Sequence, residues 1–160
     1  MKKFAIAMAA VLAATVALSP ISAFAQTDKI VTAGAAGTFP TGATYSGVSL
    51  QGLRFGLGVT ISSSGASEGD FQTTLLGTSL GQPQQIVVVG KAFNGLVPAP
   101  GTATFSGTAT VKVGGGAPVP GVPFTATVAS DGNEKGTLTL ILNTTNLPGA
   151  TVTLGSLTVK

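Results

Sequence analysis

The chain reads as an all-β protein, a two-sheet antiparallel β-sandwich of the jelly-roll or immunoglobulin-like kind that follows a cleaved export leader. Three observations predict this fold. Apolar residues recur with period two over long stretches, clusters of Gly, Pro, Asn, Asp and Ser separate those stretches, and no apolar period of 3.6 residues follows residue 25. Period two sends successive side chains to opposite faces of a pleated strand, so one face is buried and the other wetted. The 23 Gly and 9 Pro of the chain would also penalise long helices. About eight short strands in one domain of this size suit a sandwich, with a closed barrel as the alternative.

The first element is the leader. Lys2 and Lys3 precede an apolar run from Phe4 to Leu18, Ser19 and Pro20 end it, and Ala23-Phe24-Ala25 places small residues where signal peptidase needs them. This charge-then-apolar layout predicts a bacterial-type secretory signal over residues 1–25, cleaved after Ala25. The run is about 15 residues, short of the roughly 20 that span hydrocarbon. No Cys follows it to take a lipid, so the mature chain, residues 26–160, is expected to be a single secreted domain at the cell surface, in the matrix or in the periplasm.

Ile30-Val31 opens the mature strands. Leu53, Phe55, Leu57, Val59 and Ile61 alternate with Arg54, Gly56, Gly58, Thr60 and Ser62, and a change of parity between Leu50 and Leu53 predicts a kink at Gly52. Phe71 to Leu76 follows. Ile86 to Val89 has no polar residue and predicts a central strand covered on both sides. From Thr102 to Val113 the alternation is complete: Ala103, Phe105, Gly107, Ala109, Val111 and Val113 on one face, Thr, Ser and Lys112 on the other. Val122 to Val128, Thr137 to Leu142 and Thr151 to Val159 complete the set, the last with a predicted bulge near Gly155. The intervening turns are Ser62-Ser63-Ser64-Gly65, Gly81-Gln82-Pro83, Pro98-Ala99-Pro100-Gly101, Gly114-Gly115-Gly116, Asp131-Gly132-Asn133 and Pro148-Gly149.

Charge and residue inventory restrict function. Outside the leader, Lys29, Arg54, Lys91, Lys112, Lys135 and Lys160 face Asp28, Glu68, Asp70, Asp131 and Glu134, scattered singly along the chain. A nucleic-acid binder needs a basic stripe, so nucleic acid is not an expected partner. One Tyr, no Trp and a terminal Lys160 do not supply the aromatic girdles of an outer-membrane barrel, so membrane insertion of the mature chain is not expected. With no Cys, stability comes from packing and sheet hydrogen bonds alone.

The chain also has no His, which excludes Ser-His-Asp and Cys-His catalysis and most transition-metal sites. What remains is thin. Glu68 with Asp70, and Asp131 with Glu134, are weak candidates for calcium or for an atypical hydrolase, each pair reading first as a turn. Ser62, Ser63 or Ser64 beside a lysine would need that lysine desolvated to act as a base. Tyr45 and the two rings flanked by turn residues, Phe39 and Phe93, are weak candidates for a ligand surface, while Phe55, Phe71, Phe105 and Phe124 read as core.

The sequence therefore favours a non-enzymatic, cofactor-free secreted protein that is structural, adhesive or self-associating. The uncharged β-rich segments Ile86–Val89 and Thr137–Leu142 are the kind that pair strand to strand. The alternative is a binding module for a saccharide or a small apolar ligand.

Overall fold

The computed structural model describes residues 27–160; the leader over residues 1–25, with its cleavage after Ala25, lies outside the described residues. The strands are β1 (Lys29–Thr38), β2 (Thr44–Tyr45), β3 (Val48–Ile61), β4 (Ala66–Ser79), β5 (Gln82–Ala99), β6 (Thr102–Val113), β7 (Val119–Ser130), β8 (Gly136–Leu142), β9 (Thr145–Asn146) and β10 (Ala150–Val159). All pairings are antiparallel, as the alternation predicts.

The sequence reading expects two sheets, and the hydrogen bonding joins all the strands in one. Each long strand pairs with the next long strand along the chain. β1 then closes the circuit, pairing with β3 from Lys29↔Ile61 to Thr38↔Gly52 and with β10 from Val31↔Val159 to Thr38↔Thr151. The β8–β10 seam is the narrowest part, with only the pairs Ala150↔Leu138 and Thr151↔Thr137. Beyond them β8 ends, and the tip of the β7–β8 hairpin takes over: the Leu157 N–H donates to the Glu134 carbonyl at 2.8 Å, and Lys135 Nζ donates to the Gly155 carbonyl at 2.9 Å.

Alternation decides what fills the ring. Val31, Leu53, Phe55, Leu57, Val59, Phe71, Leu75, Ile86, Val88, Phe105, Phe124, Leu138, Leu140 and Leu142 all point inward and are buried. Phe71 of β4 lies stacked on Phe124 of β7, centroids 5.2 Å apart, and Phe105 of β6 meets both edge-on at 5.9 and 6.3 Å. Such pairs add about 0.5–1.5 kcal/mol each beyond area burial. Gly90 of β5 lies under this cluster because a Cβ there would stand 2.6 Å from a Phe124 ring carbon.

Several expectations need correction. Ile86 and Val88 are buried but Val89 is 50% exposed, since a wall with one inner face cannot cover a strand on both sides. Glu68-Gly69-Asp70 is not a turn: it lies within β4, and the turn is Ser62–Gly65. The turn expected at Gly81-Gln82-Pro83 centres on Leu80 and Gly81, and Gln82 begins β5. The bulge predicted near Gly155 is present: the register steps from Gly37↔Val152 to Ala36↔Leu154, so the extra residue is Thr153, and Leu154 is turned outward, 69% exposed. The kink in β3 falls where the parity change puts it, between Leu50 and Gly52.

The contact between β5 and the aromatic cluster gives a direct test. Gly90→Ala is expected to destabilise by about 1–3 kcal/mol through overpacking. Adding Phe124→Leu recovers part of that loss, so a double-mutant cycle by urea unfolding yields a coupling of about 1 kcal/mol. Strictly additive effects would show that Gly90 does not make room for Phe124.

Candidate ligand-binding site

The site grows out of the proline spacing at the start of β7. Ala109 pairs with Val122 and Val111 with Val119, two steps on β6 against three on β7, so β7 carries one extra residue. Gly121, at φ 72°, takes the left-handed backbone of that bulge. Pro120 and Pro123 have no N–H to donate, and the β7–β8 ladder begins only at Phe124↔Leu142. On its β8 side, the Pro123 carbonyl accepts from the Asn143 N–H at 2.8 Å.

The gap left by this one-sided strand is an open depression of about 540 Å³. Val111 and Val113 of β6 and the segment Val119–Pro123 supply apolar walls, and Gly116 and Ala117 of the β6–β7 turn border them. Tyr45 and Ser46 enter from the β2–β3 hairpin, and Asn143 from the β8–β9 turn. Ser46 (φ 48°) with Gly47 (φ 77°) forms the tight hairpin that sets Tyr45 opposite Val48, and Asn143 is itself left-handed at φ 54°. No side chain lining the depression is charged.

Of the ring residues singled out from sequence, Tyr45 alone reaches this depression. Phe39 is half-buried against the core, its N–H bonded to the Gln51 carbonyl. Phe93 is 52% exposed on β5 and borders a smaller hollow with Glu68, Asp70 and Lys91.

The carboxylates do not converge. Glu68 and Asp70 project outward from β4, where Asp70 lies 3.5 Å from Lys91 in an exposed ion pair. Asp131 and Glu134 sit at the β7–β8 tip, and β5 and β6 stand between β4 and β7 in the sheet. One Asp131 carboxylate oxygen accepts from the N–H groups of Asn133 and Lys135, at 2.8 and 3.1 Å. Among the described residues no three His, Cys, Asp or Glu gather as a metal site would require.

Lys29 borders a third hollow together with Ser62 and Ser63, near the opposite end of the strands. It is exposed, and the Ser62 and Ser64 hydroxyls bond each other at 2.8 Å. Neither feature matches a buried lysine base beside a serine.

Sequence reasoning passed over Val111, Val113, Val119, Val122, Pro123 and Asn143 as site residues. The signal was present in Pro118, Pro120 and Pro123, which mark a strand unable to pair on both sides. Comparison of the chain with protein-family models, with curated proteins and with solved structures finds no match.

The role of Asp131 as a turn anchor is testable. Asp131→Ala is expected to lower stability by about 1 kcal/mol by removing the carboxylate that accepts from the Asn133 and Lys135 N–H groups at the hairpin tip. Thermal unfolding measures this, and an unchanged melting temperature would remove Asp131 from the closure of the hairpin.

Proposed function

We propose that this protein is an exported, non-enzymatic binding protein that takes a small ligand in the depression beside Tyr45. The carrying observation is the uncharged, apolar opening made by the proline-interrupted start of β7. Its volume falls in the range of small-molecule sites, about 300–1,000 Å³. Export rests on Lys2-Lys3, the Phe4–Leu18 run and Ala23-Phe24-Ala25. A mature chain outside the membrane is supported by its outer wall, where Thr108, Thr110, Thr137, Thr151 and Thr153 are exposed and a membrane barrel would present an apolar band. Among the described residues no helix is long and apolar enough to cross a membrane.

In this reading the closed sheet is sandwich-like, two curved walls meeting through Phe71 and Phe124. Self-association by strand exchange, which composition alone favours, has less support, because β1 is hydrogen-bonded along both flanks.

The test is a fragment screen on the labelled protein by amide chemical-shift mapping. Bound fragments are expected to move amides between Val111 and Val122 and at Asn143, and Val119→Asp, at a 56% exposed position, is expected to abolish those shifts without altering the fold. Shifts confined to other surfaces, or no shifts at all, would remove this site from the protein's function.

A further inference from the structure

We infer that the ligand of this depression is an electrically neutral, compact, ring-bearing alcohol or ketone, an inference that rests on the binding reading above. Three observations lead to that class.

The first is charge. The lining has no charged side chain, and Lys112, between Val111 and Val113 in sequence, is exposed on the opposite face of β6. An ionic ligand would lose part of its hydration there with no counter-charge to replace it. A neutral ligand avoids that loss.

The second is the balance of polar groups. The walls are valine and proline, and the polar side chains among the lining residues are Tyr45 and Ser46 of the β2–β3 hairpin and Asn143 of the β8–β9 turn. Each can donate and accept. That is enough to satisfy one hydroxyl or carbonyl, whereas a saccharide presents a hydroxyl on nearly every carbon and would leave most of them against valine and proline. The exposed Val119 gains cover only from an apolar ligand body.

The third is the backbone. With Pro120 and Pro123 lacking N–H groups, the start of β7 offers an added peptide strand only an incomplete ladder. Recognition therefore rests mainly on side chains and shape. A rigid ring system fits this, because it brings apolar surface with little conformational entropy to lose.

The closing experiment uses three probes that share one cage, 1-adamantanol, 1-adamantanecarboxylate and 1-adamantylammonium, with cellobiose as a fourth. Tyr45 is the single Tyr of a chain without Trp, so intrinsic fluorescence reports from the site itself, and none of the probes absorbs where tyrosine does. The alcohol is expected to bind about tenfold or more tighter than either ion, with no response to cellobiose. Asn143→Asp, a change that keeps a residue tolerant of the left-handed backbone, is expected to weaken the alcohol and strengthen the ammonium, each by about tenfold. Equal binding of all three adamantanes, or preference for an ion or for cellobiose, overturns the neutral class and leaves the binding reading standing. No binding of any probe, together with an empty fragment screen, overturns both.

Discussion

Hydrogen bonding along both flanks of β1 is the constraint on which the rest of the molecule depends. A meander of antiparallel strands normally ends in two exposed edges, each a row of unpaired N–H and C=O groups ready to template association. Here the first strand takes its place between β3 and β10, so each edge becomes the other's partner. Without Cys to staple it, the chain relies on this closure to hold its core side chains away from water. The seam where β8 runs out is completed by the β7–β8 hairpin, whose tip presents Glu134 and Lys135 to β10.

Closure dictates how the interior is used. Inward residues from opposed strands converge on one axis, and the stacked and edge-on rings of Phe71, Phe105 and Phe124 fill it where Gly90 yields space. The rings occupy the middle of the interior, and the proposed binding site lies at one end of the sheet. At one end the β7 bulge and its prolines hold the wall apart between Val119 and Pro123. The same prolines that prevent pairing with β8 also protect that flank from pairing with another molecule.

Chemistry follows from what the residue inventory withholds. With no His and no Cys, and with the carboxylates dispersed over opposite parts of the sheet, the side chains available at the opening are hydroxyl, amide and hydrocarbon. Such a set recognises shape and one or two hydrogen bonds. The proposed binding role is therefore one of selective contact, with specificity set by the absence of charge as much as by the presence of Tyr45 and Asn143.

The alternation of residues by itself determined the all-β class and, in the strands with an unbroken period of two, which face is buried. Thr102–Val113 is β6 to the residue, and the four phenylalanines assigned to the core are all buried, because a period of two is a local property of the pleat. What the alternation leaves open is which strand lies beside which. That β1 sits between β3 and β10, that Val89 is half-exposed where Ile86 and Val88 are not, and that one added residue at Thr153 turns Leu154 to solvent all depend on register between distant segments. The site shows the same division. Tyr45 was visible as a ring outside the apolar pattern, but its meeting with Val111, Val119 and Asn143 exists only once four separate elements converge at one end of the closed sheet. No local pattern encodes that convergence, since it arises from the long-range hydrogen bonds that bring the first and last strands together.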